Sequence, residues 1–275
     1  MAGDETTLGS AARAHSNPLL AGARAGAIVC VTLAMLVPYI ILFVMRRRSA
    51  RDALALRWTR RWVQIVCRVI GFEVMPNGST PPAGSLLAPN HQGYVDLVAV
   101  NVLVGSFFVA KADVLTWPVI GVLFRLSRQI AVSRDRTLAV AGTVAAIAER
   151  LSRGASVCVF LEGTSTGGDR MLPFRPALAQ AAIEAGVAVV PMAIRWSARD
   201  PRVDIAEDVA YWKDHTFAPH LWRLLGLRGI AADVTFGEPI SVYGNTRKTL
   251  AAAAQAAVAE LWTCRQPLRA EAAPR

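Results

Sequence analysis

Cysteine and histidine are both scarce in this chain of 275 residues, with four of each. Cys30, Cys67, Cys158 and Cys264 are scattered and form no C-x-x-C pair, which excludes a disulfide framework and a thiol-based zinc site. Reduced thiols of this kind suit a cytoplasmic setting. Acids are in the minority, 20 Asp and Glu against 30 Lys and Arg, so the net charge is +10. No G-x-x-x-x-G-K-[ST] occurs, which removes the P-loop nucleotide binders. No internal repeat marks a solenoid.

Apolar surface, by contrast, is abundant, at 53% of residues. Part of it is concentrated in Ala25 to Met45, 21 residues without a charge. At ~1.5 Å per residue that length spans a ~30 Å hydrocarbon core, and the Pro38 it contains is tolerated in a membrane helix. The run is longer than the core of a signal peptide, and arginines at 46, 47 and 48 close it where a cleavage site would stand. The positive-inside rule puts those arginines in the cytoplasm. The expectation is a single-pass protein of the inner (cell) membrane, with a disordered tail (1–24) outside, a transmembrane helix (25–45), and the catalytic domain in the cytoplasm.

The positive charge is also concentrated. Arg46 to Arg68 holds eight arginines and one acid, Asp52, and so carries seven of the ten net charges. Directly after a membrane span, such a cluster reads as a juxtamembrane anchor, not as a nucleic-acid site. Arg57, Arg61, Gln64 and Arg68 recur at helical spacing, and Leu54, Trp58, Trp62, Ile65 and Val69 recur on another face. Residues 46–72 therefore read as an amphipathic helix, set against a bilayer interface, docked on the domain's own core, or both.

After a Pro-, Gly- and Ser-rich stretch, "MPNGSTPPAGS", short apolar runs alternate with longer helical ones. Strands are expected at Leu86–Ala88, Phe107–Ala110, Ile130–Val132, Ser156–Leu161, Val187–Arg195 and Asp233–Phe236. Helices are expected at Val95–Val104, Arg136–Arg153, Pro176–Ala185 and Arg247–Trp262. This alternation predicts an α/β fold: a single layered domain, 73–266, with a central, mostly parallel sheet flanked by helices, and a loose tail, 267–275.

Four stretches carry candidate chemistry. In "LLAPNHQGYVDLVAV", His91 lies in the turn between a strand and an apolar helix, where α/β folds place their sites. Asp96 sits one turn inside the helix, able to bond one ring nitrogen and leave the other as a base. In "VFLEGTSTGGDRMLPF", a strand runs into Glu162, Gly163 and Thr164 and then into a loop with Gly167 and Gly168. Its amides and the hydroxyls of Thr164, Ser165 and Thr166 form a candidate cradle for an anion or polar head group. Lys111, Arg125, Arg128, Arg134 and Arg136 are basic points on an apolar background, suited to an amphiphile with an acidic head. "AVVPMAIRW" is a buried strand bent at Pro191.

Taken in this order, the four stretches resemble the glycerolipid acyltransferases, in particular the bacterial 1-acylglycerol-3-phosphate acyltransferases, over about residues 50–265. Asn90, His91 and Asp96 match the family's N-H-x4-D. Arg134 in "IAVSRDR" matches its second motif, with Lys111 upstream. Phe160, Glu162, Gly163 and Thr164 match F-P-E-G-T-R, and Val190 and Pro191 match the fourth motif. "FGEPI" and "YWKDHTFAPHLWRLL" also look like the family's C-terminal part. Three positions depart: Leu161 replaces proline, Ser165 replaces arginine, and Gln129 stands where glycine is common. A branch of the family with E-G-T, then Ser or Thr, then a Gly-rich loop includes proteins that acylate lyso-ornithine lipids.

The resemblance implies acyl transfer from a thioester, acyl-CoA or acyl carrier protein, to the hydroxyl of a one-chain membrane lipid. That lipid is 1-acylglycerol-3-phosphate, which would yield phosphatidic acid, or alternatively a lyso-ornithine lipid. His91 would be the base and Asp96 its orienting acid. Lys111, Arg134, Glu162, Gly163, Thr164, Ser165 and Pro191 would bind substrate. The reaction as implied calls for no metal, no other cofactor and no nucleic-acid partner. A non-catalytic lipid-binding scaffold on the same fold is the alternative from another class.

Overall fold

A computed structural model describes residues 16–116, 120–132 and 137–263. The expectations for Arg134, Arg136, Cys264 and the two chain ends fall outside these residues. Two long helices come first, α1 (Pro18–Met45) and α2 (Arg48–Ile70). Then follow β1 (Glu73–Asn77), β2 (Leu86–Pro89), α3 (Tyr94–Leu103), β3 (Ser106–Lys111), α4 (Ile120–Leu126), β4 (Ile130–Val132), α5 (Thr137–Ser152) and β5 (Ser156–Cys158). The remainder is α6 (Gln180–Ala185), β6 (Val189–Ala198), α7 (Phe217–Leu225), β7 (Ile230–Phe236) and α8 (Arg247–Thr263).

The strands form one sheet of seven in the order β1-β7-β6-β2-β5-β3-β4. From β6 to β4 every neighbouring pair is parallel; β7 runs antiparallel to β6, and β1 follows β7. Every residue of β2 and of β5 is buried, as expected of central parallel strands covered on both faces. On one face, Val66, Ile70, Val95, Ala99, Val100 and Leu224 from α2, α3 and α7 pack over Leu87, Ile194 and Val234. On the other, Ile147, Leu151, Ala181, Ala254 and Val258 from α5, α6 and α8 pack over Leu86, Val157 and Ala193. The expected three-layer α/β domain is present.

Two local expectations need correction, and one open alternative is narrowed. The tail was expected to be disordered to residue 24, but α1 begins at Pro18. Asn17 caps it by accepting the amides of Leu19 and Leu20, and proline suits the first helical position. "MPNGSTPPAGS" is not all turn: Met75 to Asn77 belong to β1, which pairs only with β7. As an edge strand it tolerates Pro76. The tryptophans of α2 face α1. Trp58 Nε1 donates to the Met35 carbonyl at 3.1 Å, and Trp62 Nε1 donates to Thr32 Oγ1 at 2.9 Å. Tyr39 stacks on Trp58 with ring centroids 4.7 Å apart, and its hydroxyl donates to the Leu126 carbonyl. Such ring pairs contribute about 0.5–1.5 kcal/mol beyond burial. Of the two seats considered for α2, its apolar face takes the docked one, while Arg57, Arg60, Arg61 and Arg68 remain exposed.

Near its start, α1 is tied down as well. Asn17 N donates to the Gly226 carbonyl, Arg24 donates to the carbonyls of Leu225 and Leu227, and Ala21 is fully buried. Contacts with the domain or α2 thus recur from Asn17 to Tyr39. The opposite face exposes Val29, Leu33, Val37 and Ile41, one helical turn apart, followed by Val44 and Met45.

Asp52 fixes the start of α2 to the end of α5 and to the turn before β4. It accepts from Arg128, from Arg150 at 2.7 Å and from Arg153 at 3.3 Å, with its side chain 11% exposed. Breaking such a pair from one side leaves cations without a partner and costs about 3–5 kcal/mol. Asp52→Asn is expected to lower the thermal unfolding temperature in detergent. Asp52→Leu combined with Arg150→Met is expected to recover much of the loss. An unchanged unfolding temperature in the single variant contradicts the role given to this cluster.

Candidate active site

The site lies at the carboxyl edge of the parallel strands. β2 ends at Pro89, and Asn90 continues it with side-chain bonds. Its Nδ2 donates to the Ile194 carbonyl at 3.0 Å, and its Oδ1 accepts the Ile194 amide at 2.7 Å. The chain then leaves the sheet at His91 and enters α3 through Gly93. With φ at 144° and a Cβ there only 2.7 Å from Tyr211 N, residue 93 must be glycine.

Asp96, in the first turn of α3, is fully buried. Its Oδ2 accepts from His91 Nδ1 at 2.9 Å, from the Gln92 amide at 2.6 Å and from the Gly93 amide at 3.0 Å. Its Oδ1 accepts Trp196 Nε1 at 2.8 Å. Four N–H donors converge on an acceptor-only group. This sets the His91 tautomer with its proton on Nδ1 and leaves the Nε2 lone pair for chemistry. The imidazole stacks on Phe160 with centroids 3.8 Å apart, and the side chain keeps 20% of its surface exposed. One side of the ring is fixed and the other is open.

Glu162 was expected to hold the acceptor's head, but it points inward. It is 1% exposed; Oε1 accepts the His91 amide at 2.8 Å and Oε2 accepts the Leu172 amide at 2.7 Å. It ties the His91 loop to the loop that carries Leu172. Burial pushes its carboxyl up to about 7, against the pull of the Leu172 and His91 amides. The expected hydroxyl cradle is largely used up as well. Ser165 Oγ donates to the Tyr211 carbonyl at 2.7 Å, and Thr166 Oγ1 donates to the Arg170 carbonyl at 3.0 Å. A Cβ on Gly167 would stand 2.7 Å from the Trp212 ring. Thr164 remains exposed. Pro191, expected to bind substrate, is buried in β6 opposite Ala88, and its carbonyl accepts the Gly237 amide at 2.9 Å. It shapes the strand. Lys111 is exposed at the carboxyl end of β3 and pairs in register with Val132, two residues before Arg134.

The sequence reading did not anticipate the strap that covers this loop. Tyr211 N donates to the Gln92 carbonyl at 2.8 Å, and with the Ser165 bond this clamps Tyr211 to both loops. Behind it, Tyr94 donates from its hydroxyl to His220 Nδ1 at 2.8 Å, and His220 Nε2 donates to the Ala210 carbonyl at 2.9 Å. Burial, aided by Arg223 and His215, pushes the His220 imidazole down to about 4, so it packs as a neutral ring. Among the described residues, no group of three or more His, Cys, Asp or Glu comes together as a metal site.

An imidazole held by a buried carboxylate, in a chain that also carries a long apolar helix, suits an enzyme that works on lipids. Comparison with known proteins agrees. A family profile described as Acyltransferase matches residues 68–195. The lyso-ornithine lipid O-acyltransferase of Brucella abortus is 34% identical over 82% of this chain and 87% of its own length. The 1-acyl-sn-glycerol-3-phosphate acyltransferase of Neisseria gonorrhoeae is 30% identical over 61% of this chain and 64% of its own length. The solved structure of the 1-acyl-sn-glycerophosphate (LPA) acyltransferase of Thermotoga maritima shares the fold, with a TM-score of 0.64 at 20% identity, over 90% of this chain and 97% of that one. The chain belongs to the glycerolipid acyltransferase family and is an acyltransferase. Its apolar α1 and the lipids named for its relatives mark it as membrane-associated.

A carboxyl raised from 4.5 to about 7 favours the fold most at low pH, and that contribution is lost as the pH rises through about 7. Glu162→Gln cannot titrate. The stability of the unsubstituted protein relative to this variant is therefore expected to fall between about pH 5 and pH 8. Taking the difference cancels His220, whose lowered value gives a slope of the opposite sign below about 6.5. Thermal unfolding across this range checks it, and a flat difference contradicts it.

Proposed function

We propose that this enzyme moves a fatty acyl group from an acyl thioester, acyl-CoA or acyl carrier protein, to the free hydroxyl of a one-chain membrane lipid. The single observation that carries the reading is His91, held through Nδ1 by a buried Asp96 and open on the other side. His91 Nε2 takes the hydroxyl proton as the lipid oxygen attacks the thioester carbonyl. The tetrahedral intermediate collapses, the C–S bond breaks, and the imidazolium gives its proton to the departing thiolate, which leaves as the thiol and restores His91 as the base. No enzyme nucleophile is needed. Glu162 is a positioning residue for the His91 loop, and Thr164, Lys111 and Arg134 are the substrate-binding candidates at the open edge.

For the acceptor, the site favours a lyso-ornithine lipid. A phosphate monoester carries nearly two negative charges and recruits more than one cation, whereas the hydroxyl of Ser165, standing where the family usually has arginine, is turned to the Tyr211 carbonyl. The lyso-ornithine relatives also match more of the chain. 1-Acylglycerol-3-phosphate, giving phosphatidic acid, is the second reading, supported by Lys111 and by the Neisseria relative.

The arginines at 46, 47 and 48 support a cytoplasmic catalytic domain. A lone crossing by α1 is less favoured than the sequence alone implied, because the helix is held against the protein from Asn17 to Tyr39. Its outward row of Val29, Leu33, Val37 and Ile41 fits a helix sunk by one face into a single leaflet, with the exposed arginines of α2 at the head groups.

His91→Ala is expected to abolish acyl transfer while the protein still accumulates in membranes. In a panel with one acyl thioester, unsubstituted enzyme is expected to acylate lyso-ornithine lipid in preference to 1-acylglycerol-3-phosphate. The reverse preference selects the second reading, and turnover by His91→Ala defeats both. Tags on the two chain ends are expected to be digested from the same side of sealed vesicles. Digestion from opposite sides means that α1 crosses.

A further inference from the structure

No motif marked Arg175, yet it is an exposed cation at the open edge of this site. Its backbone is fixed there, because the Arg175 amide donates to the Leu161 carbonyl at 2.7 Å. The residues just before it are fixed too, with the Leu172 amide on Glu162 and the Phe174 amide on Gln255 Oε1 at 2.8 Å. The side chain lies across Gly163. A Cβ at 163 would stand 3.2 Å from both Cδ and Nε of Arg175 and 3.4 Å from Cζ. Gly163 has φ at +77°, so glycine both makes the turn and leaves room for the guanidinium stem.

Several other arginines are occupied. Arg128, Arg150 and Arg153 bind Asp52, Arg170 meets Asp169, and Arg195 lies over Trp262. Arg175 makes no side-chain hydrogen bond or ion pair with any described residue. Next to Gly163, Thr164 is exposed, and its hydroxyl likewise has no partner among the described residues. At Ser165, where the family usually carries an arginine, the hydroxyl is turned away to Tyr211.

We propose that Arg175 binds the acidic group of the acceptor's head, carboxylate or phosphate, beside the Thr164 hydroxyl, in place of the arginine that position 165 lacks. The inference rests on the acyl-transfer reading above but not on which acceptor is used, since either presents an anion. A guanidinium offers that anion two parallel N–H donors, which an ammonium cannot match.

The test compares steady-state constants of the full chain in mixed micelles, varying acceptor and donor in turn. Arg175→Ala is expected to raise the acceptor KM about tenfold or more and to leave the donor KM unchanged. Arg175→Lys is expected to fall between, since it keeps the charge without the paired donors. Arg199→Ala removes an exposed arginine paired with Glu73, and is expected to change neither constant. An unchanged acceptor KM overturns the proposal. So does a rise in donor KM alone, a fall in kcat with both KM values unchanged, or an equal rise in Arg199→Ala. An unsubstituted enzyme that acylates no acidic acceptor overturns the acyl-transfer reading itself, and this inference with it; that result is read before any variant is made.

Discussion

Four N–H groups converge on the carboxylate of Asp96, and the active site depends on that convergence. Three come from consecutive residues, the His91 ring and the amides of Gln92 and Gly93; the fourth comes from Trp196 on β6. The same carboxylate orients the base, closes the first turn of α3 and attaches that turn to the sheet. A buried carboxylate is costly unless every lone pair is met. The geometry that orients the His91 ring is therefore the geometry that makes Asp96 tolerable inside the protein. Chemistry and local folding share one constraint.

Glu162 shows how differently a second buried carboxylate can act at the same edge. It reaches no ring; it joins two backbone amides from two loops and sets the distance between them. The Tyr211 strap adds a third tie, with its amide on the His91 loop and its carbonyl on Ser165. Burial and hydrogen bonds hold the catalytic loops on the protein side, leaving the open side with the His91 ring edge, Thr164, Lys111 and Arg175. That asymmetry suits a site fed from a membrane: rigid behind, polar and accessible in front.

The sheet and the pairing of His91 with Asp96 were legible because their signals are local. Central parallel strands are short, continuous apolar runs, and all six expected strands fall within a few residues of strands found. His91 and Asp96 needed only their spacing and the strand before them. β1 was missed because Pro76 and Asn77 look like a turn, and an edge strand pairing on one side tolerates them. The strap was missed because Tyr211 to His215 show neither helical nor strand period, and what they cover is far away in sequence. Side-chain direction was the least legible feature. Nothing in "EGTS" says that Glu162 faces inward and Ser165 faces Tyr211, and nothing in the Trp58 and Trp62 spacing says whether bilayer or α1 covers them. An exposed arginine such as Arg175 has no pattern at all; only its approach to Gly163 singles it out.

The account stands on Asp96 acting through His91 and not on substrate. The most direct measurement is the steady-state kinetics of Asp96→Asn, a substitution that keeps size and shape but removes the charge and places an amide against N–H donors. The expected result is a fall in kcat of about a thousandfold or more, with KM for acceptor and donor within a few-fold of the original. A variant that keeps most of its kcat, or that loses activity only through a raised KM, contradicts the claim that this pair is the catalytic base and its support.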